Sequence, residues 1–236
     1  MNRVFAADSV RPECIVLGLL ATIGGTIPAH AAPGQWYIAA SVSGSALEKP
    51  HQTIANAPMP GSTLYVVNDI DFGWGGEGAV GYELRAFRIE AEIGYTSNHS
   101  TSYSAVRPIS VTVPQDGKNR TIRYMANAYV APFRGRWRVS PYIGGGIGAA
   151  HGHFTTFAAP ARAPTAPPAQ LLDVKDTRFA YQAMAGLSVP VARRLILSAQ
   201  YRWLDSGTFH GVDSRGEQAT RTLRGSNIDV GLRFTF

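Results

Sequence analysis

Ser226-Asn227-Ile228-Asp229-Val230-Gly231-Leu232-Arg233-Phe234-Thr235-Phe236, the last stretch of a 236-residue chain, decides the fold. Ile228, Val230, Leu232, Phe234 and Phe236 alternate strictly with Asn227, Asp229, Gly231, Arg233 and Thr235. A strand built from them has one apolar face and one polar, charged face. Ending on an aromatic, it reads as the closing strand of a membrane β-barrel.

Seven earlier segments repeat the pattern at about the 9–11 residues that a tilted membrane strand needs. Residues 35–45 set Trp36, Ile38, Ala40 and Val42 against Tyr37, Ala39, Ser41 and Ser43. Residues 72–84 set Phe72, Trp74, Val80, Tyr82 and Leu84 against Glu77, Ala79, Gly81 and Glu83, and residues 87–96 set Ile89, Ala91, Ile93 and Tyr95 against Arg88, Glu90, Glu92 and Gly94. Residues 122–130, the glycine-rich 141–150, 179–189 and 195–204 complete the set before the terminal strand. The expectation is an all-β protein, an eight-stranded antiparallel up-and-down transmembrane β-barrel. Its connections alternate in length: 46–71, 97–121, 155–178 and 205–225 are long, while 85–88, 132–140 and 190–194 are short. An even strand count puts both termini on the periplasmic side with the short turns, and the long loops outside.

A two-residue turn at Ala86-Phe87 would pair Leu84 with Ile89, Tyr82 with Ala91 and Val80 with Ile93, keeping the apolar residues on one face. It also sets Glu83 opposite Glu90, a repulsive arrangement that calls for a bridging arginine: Arg88, Arg85 or Arg123. Trp36, Trp74, Tyr95, Phe133, Trp137, Trp203, Phe234 and Phe236 lie near strand ends, where interfacial aromatic girdles belong. A soluble lipocalin-like barrel has the same period with its apolar face inward. Charges on the polar face, an export signal and the terminal aromatic favour the membrane reading.

That signal occupies residues 1–31. Arg3 and Arg11 supply positive charge, residues 15–23 the apolar core, and Ala29-His30-Ala31 a small-x-small cleavage pattern. The apolar run is about half of the ~20 residues of a spanning helix, and Gly24, Gly25 and Pro28 break it. The barrel domain then covers residues 32–236. Cys14, the sole cysteine, lies within the signal, so no disulfide is available. The preceding Arg11-Pro12-Glu13 does not suit a lipoprotein site. The formal charge of +6 survives cleavage, which removes two basic and two acidic residues. Export argues against nucleic acid as the partner; phosphates of outer-membrane lipid and lipopolysaccharide suit the excess better.

Gln35-Trp36-Tyr37-Ile38-Ala39-Ala40, the block Pro141-Tyr142-Ile143-Gly144-Gly145-Gly146-Ile147-Gly148, the stretch from Phe179 to Leu187, and Tyr201-Arg202-Trp203-Leu204-Asp205 with the closing alternation resemble the small outer-membrane β-barrel family of opacity-type surface antigens and OmpA-like transmembrane domains. The resemblance spans essentially the whole mature chain. It implies an outer-membrane location and a closing strand whose terminal Phe236 is read by the barrel-assembly machinery. Function is open on this ground, since the family hosts adhesins, surface antigens and structural barrels. Because the chain stops at Phe236, the peptidoglycan-binding domain of full-length OmpA-like proteins is expected to be missing.

Other candidates weigh less. Gly73, Gly75 and Gly78, and Gly144, Gly146 with Ala149, match a dinucleotide fingerprint without the strand-then-helix context that holds phosphate; glycine there makes room for large neighbours such as Tyr142. His151 and His153 project to one strand face like two metal ligands but lack a third. Asp205, Ser206 and His210 contain the residue types of a hydrolytic triad, within ordinary turn chemistry around Gly207. The Pro/Ala tract 158–169 reads as an extended loop tip, and Asn98-His99-Ser100 only formally matches a glycosylation acceptor. No cofactor or metal is expected.

The interior charges say most. An eight-stranded barrel is just wide enough to be filled by its own side chains, and buried charges persist only when paired. Glu77, Glu83, Glu90, Glu92 and Asp229 are therefore expected to form an ion network across the lumen with Arg88, Arg123, Arg202 and Arg233, plugging it. The leading expectation is a structural, adhesin-like surface barrel working through its outer loops on a host or envelope partner. The alternative is a small diffusion pore; a loop-sited lipid-modifying enzyme ranks third.

Overall fold

Successive side chains of a strand point to opposite faces, so alternating segments can enclose their polar set only by curling around it. The computed structural model has them do so in one closed antiparallel sheet. It describes residues 34–48, 51–55, 61–107, 111–132, 138–158, 170–213 and 216–236. The expected signal 1–31, Phe133, Trp137 and residues 159–169 of the Pro/Ala tract lie outside them.

Ten elements form the sheet: β1 (Gln35–Leu47), β2 (His51–Ala55), β3 (Thr63–Ile70), β4 (Gly73–Leu84), β5 (Phe87–Arg107), β6 (Val111–Val130), β7 (Ser140–Ala158), β8 (Gln170–Ala192), β9 (Leu195–Asp213) and β10 (Gln218–Thr235). The short β2 and β3 do not enlarge the ring. β2 takes over on β10 where β1 leaves it, and β3 takes over on β5 where β4 leaves it. The register from Gln35↔Glu83 to Ser45↔Gly73 continues unchanged from His51↔Val67 to Ala55↔Thr63. β1–β2 and β3–β4 are thus two interrupted long strands, and the barrel has eight strand positions, closed by β1 against β10.

Ile38, Ile89, Ile93, Ile143, Ile147 and Ile228 face outward, and Val42 is 70% exposed. So continuous an apolar surface is untenable in water; it faces lipid, and ring closure leaves no unpaired edge there. Aromatic pairs mark both margins of this belt. Trp36–Tyr82 and Phe234–Phe236 lie at the short-turn end with ring centroids 5.2 and 5.5 Å apart. Trp74–Tyr95 and Tyr181–Trp203 lie at the other, 5.9 and 5.7 Å apart.

Two sequence expectations are corrected. The first hairpin turns at Arg85-Ala86, with Arg85 at φ 55°, and pairs Leu84 with Phe87, Tyr82 with Ile89 and Val80 with Ala91. The register differs by two residues, which preserves the faces but sets Glu83 opposite Arg88 and Glu90 opposite Gly81. A primed two-residue turn needs positive φ, a state arginine enters rarely, so Arg-Ala carried no turn signal. Secondly, the four long connections are mostly strand: β5 and β6 run on to Arg107 and from Val111, β7 and β8 to Ala158 and from Gln170. Beyond the belt the outer face is wet, so outward residues need not be apolar and the hydrophobic period stops while backbone pairing continues.

One seam interrupts the wall. No ladder pairing joins residues 174–180 of β8 to 206–211 of β9, where Gly207 takes φ 65° and the Asp205 carboxylate accepts its amide at 2.8 Å. A side chain replaces the ladder: Asp176 accepts from the His210 amide at 2.9 Å, its own neighbour Thr177 at 2.8 Å and Arg178 Nε at 2.7 Å. Asp176 lies beyond the belt, whose last outward members on β8 are Tyr181 and Phe179. Partial burial opposes its ionisation, yet these donors hold its pKa below the ordinary carboxyl range.

Replacing Asp176 with Asn should raise hydrogen exchange of the 206–211 amides on the order of tenfold, the scale of one charge-assisted bond, with the belt amides unchanged. Because the folded pKa is lowered, the wild-type protection is complete above the usual carboxyl range and lost as pH falls through the lowered value. Equal exchange in both proteins would show that the seam is held by something else.

Candidate functional site

Inward positions of all eight strands converge on a lumen filled in three layers. In the middle, Arg202 of β9 reaches four other strands. It donates through Nε to Asp229 Oδ2 of β10 at 3.0 Å and through Nη1 to Glu92 of β5 and, at 3.2 Å, Gln182 Oε1 of β8. Its Nη2 stands 3.9 Å from Glu77 Oε2 of β4. Beside it, Arg123 of β6 donates to Glu77 Oε1 at 3.0 Å and Thr96 Oγ1 at 2.5 Å. Neutral donors add to the carboxylates, Ser41 on Glu77, Asn127 on Glu92 at 2.8 Å and Gln200 on Asp229 Oδ2 at 3.1 Å, leaving Asp229 Oδ1 buried without a partner. Gln182 in turn donates to Asn127 Oδ1 at 2.8 Å. Every charged member of this layer is buried.

Toward the short turns the lumen becomes aromatic. Arg88 lies over Tyr129, Tyr142 and Tyr37 at 3.9, 4.9 and 5.9 Å, and Arg233 over Tyr37 at 5.2 Å, close enough for cation–π attraction. Arg233 Nη1 is 3.8 Å from Glu83 Oε1. Glu90 accepts from the phenols of Tyr37 at 2.7 Å and Tyr129 at 3.1 Å. The corrected register no longer opposes Glu83 and Glu90: Glu83 now faces Arg88 across the strand pair. A cavity of about 60 Å³ remains between this layer and the middle one, room for a few waters.

On the far side the lumen carries an apolar cluster beside buried Asn98, Asn119 and Thr121. Met125, Ala150, Phe154, Val174, Ala180, Leu204, Phe209, Ala219 and Leu223 form one cluster, with Phe154 edge-on to Phe209 at 5.2 Å. Arg221, beyond the belt on β10, is enclosed with them, 5.1 Å from the Phe154 ring. Burial pushes its pKa down to about 10.

The remaining candidates fall into place individually. Trp36, Trp74, Tyr95, Trp203 and Phe234 lie at the belt margins; exposed Phe236 donates its amide to the Trp36 carbonyl at 3.0 Å. The inward face of β7 is Gly144, Gly146 and Gly148, opposite Tyr129, Asn127 and Met125 of β6, whose side chains occupy the space that Cβ atoms would take. Those glycines open no helix. His151 faces outward and meets Thr177 at 2.9 Å; the described residues hold no group of three or more metal-ligating side chains. Asp205 binds Arg224 at 2.6 Å and Tyr181 at 3.1 Å. Ser206 Oγ is buried without a partner, and neither is joined to the His210 ring. Asn98 points inward, donating to the Ser45 carbonyl at 3.1 Å.

Sequence reasoning missed the neutral half of the lumen, namely Tyr37, Tyr129, Tyr142, Asn127, Gln182 and Gln200. Their inward phase was the available signal: Tyr37 sits opposite in phase to Trp36 and Ile38, and Tyr129 to Tyr124.

A family model described as the outer membrane protein beta-barrel domain matches residues 17–236. Among solved structures, the outer membrane protein OprG of Pseudomonas aeruginosa is 11% identical with a TM-score of 0.53, over 87% of this chain and 97% of that one. A major outer membrane protein of Thermus thermophilus is 10% identical with a TM-score of 0.51, over 85% and 99%. Neisserial surface protein A is 16% identical with a TM-score of 0.46, over 87% and 100%. No curated protein matches the chain.

Arg202→Met should lower unfolding stability by about 3–5 kcal/mol, because it leaves buried carboxylates unpaired, and Glu92→Gln in that background should recover part of the loss. Arg88→Met, which removes mainly ring contacts, should cost about 1–2 kcal/mol, and the exposed Arg85→Met next to nothing. Urea unfolding followed by tryptophan fluorescence in detergent measures all four. Wild-type stability in Arg202→Met would refute the middle layer as a structural tie.

Proposed function

The chain belongs to the outer membrane protein β-barrel domain family and resides in the outer membrane, and on that premise we propose that it is a plugged surface barrel whose work is done outside the membrane. The observation carrying this reading is the Arg202 layer: one guanidinium bonded to Asp229, Glu92 and Gln182 and set beside Glu77. Arg123 alongside and the apolar cluster beyond it support the same reading. Opening a water path would break buried ion pairs, which costs several kcal/mol.

What is left to act is the part beyond the belt. The short turns lie on the periplasmic side and the extended hairpins β2–β3, β5–β6, β7–β8 and β9–β10 stand outside. Being paired strands rather than free loops, these offer a preorganised surface for a host or envelope partner, which lowers the ordering cost of binding. The proposal extends to lipid and lipopolysaccharide around the belt, and to the assembly machinery engaging β10 at Phe236.

The 60 Å³ lumen cavity favours a second reading, a narrow pore that opens on rearrangement of the charges. Planar-bilayer recording separates the two. Wild-type protein should stay at baseline, whereas Arg202→Met combined with Arg123→Met should show discrete openings. Stable wild-type channels would sink the plugged-barrel reading and establish the pore.

A further inference from the structure

The outer layer of the lumen encloses one cation that takes no part in the ion network. Arg221 of β10 is 1% exposed, and its Nε, Nη1 and Nη2 are all buried without a hydrogen-bond partner. The register sets it opposite Phe209 of β9, whose ring meets that of Phe154 at 5.2 Å, and the guanidinium carbon stands 5.1 Å from the Phe154 centroid. Ala219 and Leu223 flank it on the inward face of its own strand, and Val174 of β8 pairs with Phe154. Two further buried polar groups without partners sit on the strands around it. Asn119 of β6 pairs with Phe154, and neither its Nδ2 nor its Oδ1 is bonded; Ser206 Oγ follows Leu204 on the inward face of β9. Of the six unpartnered atoms on these three residues, Asn119 Oδ1 alone is unable to donate.

A guanidinium stripped of water persists in an apolar layer only with compensation. The Phe154 ring face supplies some, but cation–π attraction is a fraction of the desolvation cost and leaves the guanidinium N–H groups unmet. Two carboxylates of the adjoining wall are engaged elsewhere, Asp205 with Arg224 and Tyr181, and Asp176 with Arg178 and the His210 amide. Burial acts on the Arg221 charge, and with a pKa of about 10 the side chain stays protonated at neutral pH. We infer that the Arg221 layer is a binding site for one monovalent anion, a halide or the carboxylate of a small amphiphile, held by the guanidinium fork beside Phe154 and Phe209. Charge sets the valence: one guanidinium balances one negative charge, and a divalent anion would carry a second, uncompensated charge into apolar surroundings. Lining sets the class, since aromatic and aliphatic walls favour an ion that sheds water cheaply or carries an apolar tail. Access is local. Val174, Ala180, Ser206 and Phe209 border both this layer and the β8–β9 seam, which is closed by side-chain bonds and not by a ladder, so an ion enters without unzipping strands. The inference is independent of any partner at the hairpins and of whether the lumen conducts.

The test is a titration of the folded full chain in nonionic detergent with two probes, sodium bromide followed by NMR line broadening and sodium hexanoate followed by saturation transfer. Wild type should bind at least one of them saturably. Arg221→Met should weaken that binding by roughly tenfold or more, the scale of one charge-assisted contact, whereas Arg221→Lys, which keeps the charge, should retain a measurable part of it. Heat-modifiable gel migration reports folding, and Arg221→Gln carries the test if the Met variant does not fold. Arg193→Gln/Arg194→Gln, in the exposed turn at the opposite end, should bind as wild type does. Hexanoate bound well above bromide and lost with Arg221 identifies the carboxylate of an amphiphile; bromide bound as tightly as hexanoate or more so, and lost with Arg221, identifies a simple halide. Either result supports the site. Saturable binding of neither probe, binding unchanged in Arg221→Met, or equal loss in the turn variant would overturn it.

Discussion

Arg202 is where the barrel is tied across its own interior. A ring of strands is held around its circumference by ladder bonds, which constrain neighbours only. Arg202 adds radial links from β9 to Glu77 and Glu92 on the far wall as well as to Asp229 next door. The pair with Glu92 joins residues 110 apart in sequence. Since a charge in that position persists only with its partners present, strand stagger, lumen width and the inward phase of β4, β5, β9 and β10 must all agree with it.

The three-layer filling follows from what each end of the lumen must do. The middle layer meets its carboxylates with two arginines plus Ser41, Asn127 and Gln200, while Thr96 and Gln182 accept from the arginines. The periplasmic layer uses tyrosine instead: ring faces receive Arg88 and Arg233, and phenol hydroxyls serve Glu90. Such a layer excludes solvent by area while still neutralising charge. The outer layer packs apolar side chains around Phe154 and Phe209.

The wall is not uniform. Between β8 and β9 the ladder yields to the bulge at Gly207 and to the side-chain bonds of Asp176, next to the apolar layer. A ladder bond joins backbone to backbone and tolerates most substitutions, whereas this stretch depends on one carboxylate.

By itself the sequence determined the eight strand positions and which face of each meets lipid. Both are local consequences of a period-two pattern held against hydrocarbon; Arg221, enclosed beyond the belt, escaped it. Tertiary structure alone decided which charges meet. The register of the first hairpin turned on one arginine at positive φ, and a two-residue slip there keeps every side chain on its proper face, so the pattern could not detect it. Glu90 therefore accepts from the phenols of Tyr37 and Tyr129, while Glu83 faces Arg88 across the hairpin. The strands beyond the belt were equally invisible, because with water on the outer face nothing forces outward residues to be apolar, although the backbone pairs as before. The partners of Arg202 depend on the stagger of strands far apart in the chain, a property of the closed ring that no single segment encodes.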